Sequence, residues 1–349
     1  MIFKDVIKII NFKSSPSSII QTDEFGYIIK KDEKNKHKND NNQSKRTLKL
    51  LQINARMEKW NYMINNYDEF YNKRFKKLKS RTRKGIPDCF RSQVWQLFAQ
   101  YNKFYKKNTF KELDSAEINE GLDDIILKDL NRTFQNIYFF KDKYGTGQRK
   151  LYRVLSNYSK YNKKIGYLQG MSFIVGLFLT YMCEESSFFL LDYLIKNYNL
   201  EGFYLPDFPK LKETFYVFLN LFNKYMPKVY TLFKKEGLMP SMYATEWFIC
   251  IFSRNLKFNS LVRVFDVFLL EGYIILYRIA LAFIKINENK FFEKNIELVY
   301  ITNTFKTLYD IEPDLLFKTS FSFNISVKTI NQLEKEYEAI KDNKKNEFV

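Results

Sequence analysis

Two side chains of this sequence offer chemistry beyond packing. Arg132 lies near the end of the stretch Ile126-Leu-Lys-Asp-Leu-Asn-Arg-Thr-Phe134, three residues after Asp129. An arginine keeps its proton and presents a planar fork of donors, which suits it to a carboxylate or to negative charge developing on a phosphoryl group. Taken alone, the pair reads as an i,i+3 ion pair on a solvated helix face, worth a few tenths of a kcal/mol, about the contribution of any such surface pair. Gln169 lies in Tyr167-Leu-Gln-Gly170. Its carboxamide both donates and accepts, and taken alone it reads as a hydrogen-bonding residue at a helix start.

Composition removes most other chemistries. The 349 residues contain a single histidine, His37, in a Lys/Asn-rich stretch, so His-based triads, HExxH proteases and His-rich metal or haem sites are excluded unless that one residue serves. Cys89, Cys183 and Cys250 are far apart, in or beside apolar patterns, and read as buried thiols of a reducing compartment. No GxxxxGK[ST] phosphate loop is present, and the Gly145-Thr-Gly147 turn has the wrong spacing for one.

The elements that must position Arg132 and Gln169 read as helices. Leu122, Ile125, Ile126 and Leu130 recur at spacings of three and four, marking the buried face of a helix that ends just before Arg132. Leu151–Tyr161 reads as a second helix. Tyr167–Met182 reads as a third, with Leu168, Met171, Val175, Phe178 and Met182 in register and Gln169 in its first turn. Gly85-Ile-Pro87 is a turn, and Pro87 before Phe90, Val94, Trp95 and Phe98 fits a helix start. Trp95 reads as core and Arg91, one turn earlier, as a buried structural cation.

Hydrophobic residues make up 46% of the chain, including 35 Phe and 25 Tyr, enough for a sizeable core. No strand-like alternation appears between Gly85 and Asp310, so the fold class is all-α, a large multi-helix domain without significant β-sheet. Residues 1–46 read as a partly disordered, low-complexity segment, because their Lys/Asn-rich second half cannot bury enough surface to offset its ordering entropy. Residues 47–82 read as a basic lead-in helix with Trp60, Met63, Ile64, Tyr67 and Tyr71 on one stripe, and residues 83–325 as the main domain. Residues 326–349 read as a helical tail that docks through Ile330, Leu333, Tyr337 and Ile340. The apolar run Tyr167–Cys183 is short for a membrane span, and Val264–Ile284 is interrupted by Asp266, Glu271 and Arg278. Neither a spanning helix nor a secretory signal is expected.

Three short motifs in order then carry a resemblance: Arg91 to Trp95 within RKGIPDCFRSQVW, IxxDxxRT at Ile126–Thr133, and YxQG at Tyr167–Gly170. Together they resemble the TBC domain, the Rab-type GTPase-activating module, over roughly Gly85 to Phe323. The resemblance implies that Arg132 and Gln169 are supplied in trans to a GTP-bound Rab, Arg132 stabilising phosphoryl charge and Gln169 orienting the attacking water. It also implies that Asp129, Thr133, Tyr167 and Gly170 support that pair, while Arg91 and Trp95 are structural. The chain would hold no cofactor and no metal, the GTP and Mg²⁺ being carried by the partner GTPase. Departures are Gln135 where proline is usual, Phe265 where tryptophan is usual, and Glu246 where glutamine is common. The alternative is a Rab-binding adaptor of the same fold that does not accelerate hydrolysis.

The net charge is +18, densest from Lys73 to Lys84, where eight cations occur without an acid. Such a run can attract an anionic membrane, nucleic acid or an acidic protein, or simply be a solvated face. Without a nucleic-acid-binding motif, no nucleic-acid partner is expected. A cytoplasmic protein, peripheral on endomembranes, is the matching expectation.

Overall fold

The helical periodicity becomes a bundle of α-helices in the computed structural model, which describes residues 22–23, 26–28, 43–117, 121–292 and 311–346. Most of the segment expected to be disordered lies outside the described residues. Among the described residues, β pairing is limited to two isolated bridges, Thr22 with Ile28 and Tyr27 with Ile137. The fold is all-α.

The expected single lead-in helix is three: Gln43–Asn65, Tyr67–Lys73 and Phe75–Arg83. The breaks fall at Asn66 and Arg74, whose φ angles of −121° and −124° leave the helical region. At the first, Asn66 Nδ2 donates back to the Tyr62 carbonyl at 2.9 Å, the local bonding by which Asn competes with helix continuation. The bends let Trp60, Met63, Phe70 and Leu78 all reach the core, while Tyr71 is left exposed.

Two helices form the centre. All nine residues of Met171–Leu179 are buried, as are ten of the thirteen residues of Ile274–Ile286. A helix apolar on nearly every side has to be wrapped by others. Amphipathic helices do this, among them Thr146–Tyr161, Pro209–Tyr225 and Phe258–Glu271. The tail helix Val327–Asn346 lies along Pro209–Tyr225, with Ile330 buried, Glu334 paired to Lys210 at 3.0 Å and Tyr337 against Tyr216 at 5.6 Å. Ile340, expected in that contact, is exposed.

Arg91 is buried, as its place one turn before Trp95 suggests, and it faces the fully buried Asp266. Asp266 accepts from Arg91 Nε at 3.0 Å, from Trp95 Nε1 at 2.8 Å and from the Ile86 backbone N–H at 2.9 Å. One carboxylate thus ties the Gly85-Ile-Pro87 turn and the Asp88–Phe98 helix to the helix Phe258–Glu271. Burial works against the Arg91 charge, but Asp266, Tyr181 and Asp88 together outweigh it and hold the guanidinium protonated. Phe265 fills the expected tryptophan position beside this pair, at 6.1 Å from Trp95 and 5.7 Å from Phe178. Two of the cysteines correct their expected burial: Cys89 and Cys183 are exposed, and only Cys250 is buried. Cys183 caps the start of Glu184–Asn197, where its thiol lies 3.3 Å from Ser186 Oγ, so the helix entry holds it at the surface.

Removing one partner of a buried ion pair strands the other charge and costs about 3–5 kcal/mol. Asp266→Ala is expected to lose that much stability in equilibrium urea unfolding, and a loss below about 1 kcal/mol, the worth of an exposed pair, would contradict this role.

Candidate functional site

The Arg132 site is built on an acid that turns inward. At about 100° per residue, Asp129 falls within about 20° of Leu122 on the helix Leu122–Leu130, on its apolar stripe rather than opposite it. Asp129 is accordingly 1% exposed, while Ile125, expected on the buried face, is 42% exposed. The solvated ion pair is therefore corrected to a half-buried one: Arg132 bonds to one Asp129 oxygen, with 39% of the arginine side chain in solvent and 2% of the aspartate's. The other oxygen accepts from the Tyr167 hydroxyl, and the Gly170 backbone N–H lies 3.4 Å away. Burial first, and then the Asp129 carboxylate, push the Tyr167 phenol far up, so it remains a donor. Thr133 Oγ1 donates to the Asp129 carbonyl at 2.7 Å and lies 2.8 Å from Ser172 Oγ. Two motifs nearly forty residues apart in sequence meet at one carboxylate.

Gln169 stands outside the helix it was expected to open. That helix begins at Met171, and Tyr167, Leu168 and Gln169 belong to the loop before it. Asp129 draws Tyr167 and Gly170 off the helical path, and Gly170 takes φ +105°, a conformation that favours glycine. A Cβ there would also meet Cys250 Sγ at 2.6 Å. Gln169 is left exposed, between a Tyr167 and a Gly170 that are both bonded to Asp129. The Cys250 thiol below is pushed up to about 12 by burial, with Arg254 and Arg132 opposing and Glu246 and Asp129 adding to the rise, so it is packing and not a nucleophile.

The chain after Arg132 is seated as firmly. Phe134, at φ +48°, packs edge-on against Phe173 at 5.5 Å and Phe258 at 6.2 Å. Gly176 makes room for it, since a Cβ there would lie 3.0 Å from the Phe134 ring. Ile137 N–H then closes a turn on the Phe134 carbonyl at 2.8 Å, with Gln135 in its second position. Sequence reasoning missed a further arginine beside this site. Arg254 lies over the Phe173 ring at 5.3 Å and pairs with Glu246, the residue noted as a departure from glutamine. The helix that carries Glu246 ends at Ile249, so helical spacing does not link it to Arg254; the acid standing in for an amide was the available signal.

Cavities of about 590 and 640 Å³ lie elsewhere and include neither Arg132 nor Gln169. The larger is lined by Lys76, Lys79, Arg83, Lys84, Arg263 and Lys318, with Asp314 at 84% side-chain exposure beside them. The basic run is thus more than a solvated face. Arg83 grips the buried Glu271 through two bonds of 2.6 Å, Lys79 reaches it at 2.8 Å, and Arg83 also covers the Phe321 ring at 4.2 Å. Among the described residues no cluster of metal-ligating side chains occurs, and no helix is long and apolar enough to cross a membrane.

An all-helical domain presenting an exposed arginine and an exposed glutamine from one buried aspartate defines a recognisable class. The Rab-GTPase-TBC domain model matches residues 88–292, and the chain belongs to that family. It is 31% identical over 292 residues to the human "Ecotropic viral integration site 5 protein homolog", covering 83% of this chain and 36% of that protein. It is also 31% identical over 280 residues to the "Rab GTPase-activating protein eat-17" of Caenorhabditis elegans, covering 80% of this chain and 31% of the relative. The chain therefore spans about a third of the length of these curated relatives. The crystal structure of the Chlamydomonas flagellar RabGAP TBC domain superposes with a TM-score of 0.68 at 26% identity, covering 86% of this chain and 99% of that one.

Truncating Asp129 leaves the Tyr167 hydroxyl and the Gly170 N–H without their acceptor. Asp129→Ala is expected to cost about 1–3 kcal/mol, the penalty of a buried group left unsatisfied. Hydrogen exchange is expected to speed up together at residues 131–134 and 167–171; exchange unchanged in the second segment would show that Asp129 does not join the two.

Proposed function

We propose that this protein accelerates GTP hydrolysis on a Rab-family GTPase by supplying Arg132 and Gln169 in trans. The observation that carries this reading is the shared carboxylate of Asp129, which fixes the chain beside both residues while leaving their functional ends in solvent. Phosphoryl transfer from a loose transition state asks a protein chiefly for charge stabilisation and a water held in line. The Arg132 fork meets the first need and the Gln169 carboxamide the second. No base or nucleophile is required of this chain, and GTP with its Mg²⁺ is the partner's. The membership in the Rab-GTPase-TBC family and the likeness to a relative named as a Rab GTPase-activating protein support the choice of partner.

The basic cavity supports a peripheral place on an anionic membrane, where Rab substrates would be met. Phe258, against which the Arg132 loop packs, and Glu271, which holds Lys79 and Arg83, are the two ends of one helix. Thirteen residues at about 1.5 Å each put them about 20 Å apart, so lipid contact at one end would leave the other free for the GTPase. Lysines near such a surface contribute about 1 kcal/mol each. Lys76→Glu with Lys84→Glu is expected to reduce sedimentation with phosphatidylserine vesicles and leave binding to neutral vesicles unchanged; equal sedimentation of parent and variant would contradict the membrane role.

Arginine fingers contribute about a thousand- to a hundred-thousand-fold in rate. In single-turnover hydrolysis with a responsive Rab, Arg132→Ala is expected to remove most of the acceleration, Arg132→Lys to restore little of it because the planar fork is lost, and Gln169→Ala to be similarly impaired. Full acceleration by Arg132→Ala would sink the catalytic reading. A parent protein that binds every Rab tested without accelerating any would establish the adaptor instead.

A further inference from the structure

The segment Gly26–Ile28 is remote in sequence from both motifs, yet it pairs with the chain that carries Arg132. Ile28 N–H donates to the Asn136 carbonyl at 2.8 Å, and Tyr138 N–H donates to the Gly26 carbonyl at 2.8 Å. The two bonds flank the bridge between Tyr27 and Ile137. Tyr27 also sets its ring edge-on to Phe258 at 5.6 Å, the ring that seats Phe134. The segment is itself folded for this: Asp23 accepts the Tyr27 N–H at 2.8 Å, Gly26 N–H reaches the Asp23 carbonyl at 3.1 Å, and Gly26 sits at φ +81°. Its inner face therefore meets residues 136–138, four to six positions beyond Arg132, and the aromatic floor under Phe134.

The turn in the gripped loop is not stiffened by its own sequence. Gln135 is the second residue of the turn closed by Ile137 on Phe134, a position that proline favours because its ring fixes φ in advance. Glutamine does not preset that angle, so restraint between Phe134 and Tyr138 comes from outside the turn, from the buried Phe134 and Ile137 side chains and from contacts with the backbone of residues 136–138. Residues 26–28 supply such contacts through two backbone bonds, with one aromatic contact.

We propose that the Gly26–Ile28 strap is a positioning element for Arg132, holding its loop in the productive conformation from outside the motifs, an inference that rests on the catalytic reading above. Ile28 and Tyr27 act through the loop and do not touch the reacting atoms. Removing the strap leaves Arg132 chemically intact and its ion pair with Asp129 available, but lets the loop that follows it drift. Displacements of about 1 Å at such groups can cost a hundredfold in rate.

The test uses the full chain carrying Ile28→Pro, which deletes the N–H donated to Asn136, and separately Tyr27→Ala. Each is assayed with a responsive Rab in single turnover over a range of activator concentrations, alone and combined with Arg132→Ala. The expected result is a fall of about tenfold or more in the maximal rate with a half-saturating concentration within about twofold of the parent's, the signature of lost positioning rather than lost binding. In the Arg132→Ala background Ile28→Pro is expected to cause no further loss, because the two act through one group. Unchanged thermal midpoints and faster hydrogen exchange at residues 134–138 are the accompanying physical readouts. An undiminished maximal rate in both variants, beside a crippled Arg132→Ala, overturns the strap and leaves the finger reading standing. A raised half-saturating concentration at full maximal rate, or an equal loss in the Arg132→Ala background, also overturns it. An Arg132→Ala protein as fast as the parent overturns both.

Discussion

The site depends on one buried negative charge. Asp129 costs desolvation to hold inside the domain, and that cost is offset by three groups that converge on its carboxylate, the Arg132 guanidinium, the Tyr167 hydroxyl and the Gly170 N–H, while the Thr133 hydroxyl holds its backbone carbonyl. If the carboxylate is satisfied, the end of the helix Leu122–Leu130 and the loop before Met171 must lie together. The energetic requirement and the placement of Arg132 beside Gln169 are one constraint. Gly170 completes it, since only a residue tolerant of φ +105° and without a Cβ fits between Asp129 and Cys250.

A second buried acid repeats the device for the scaffold. Asp266 binds Arg91, Trp95 and the Ile86 N–H, and so fixes the entry of the domain to the helix Phe258–Glu271. That helix in turn presents Phe258 to the Arg132 loop and to Tyr27 at one end, and Glu271 to the basic run at the other. Rigidity at the loop is thus inherited from the core through packed aromatic rings. The exposed side chains of Arg132 and Gln169 need contribute little to it.

Much of this was legible in the sequence, and the reasons differ by residue. The all-helical class followed from the absence of alternation, and Trp95 and Arg91 followed from a tryptophan and a cation one turn apart on an apolar face. The closeness of Arg132 and Gln169 rested on motif resemblance, because residues that meet across two loops leave no periodic trace. The burial of Asp129 was readable from helix geometry alone, as its angle lies beside Leu122 rather than opposite it. The start of the helix at Met171 was not, since Tyr167 and Leu168 are apolar and fit a helical register; what removes them is a tertiary bond to Asp129. The breaks at Asn66 and Arg74 were hidden by continuous helical propensity. The strap was invisible for the reason common to long-range contacts, that neither partner's own neighbourhood announces it, whereas the Glu246–Arg254 pair was announced only by an acid in place of an amide.

On the proposed function, water positioning comes from this chain and not from the GTPase. In Ras-type GTPases a glutamine of the GTPase itself orients the attacking water. The most direct measurement is therefore single-turnover hydrolysis by a Rab whose own glutamine at that place is replaced by alanine, with the parent protein and with Gln169→Ala. The account predicts that the parent still accelerates the substituted Rab strongly and that Gln169→Ala does not. Loss of acceleration by the parent on the substituted Rab, with acceleration retained on the unsubstituted one, would contradict it.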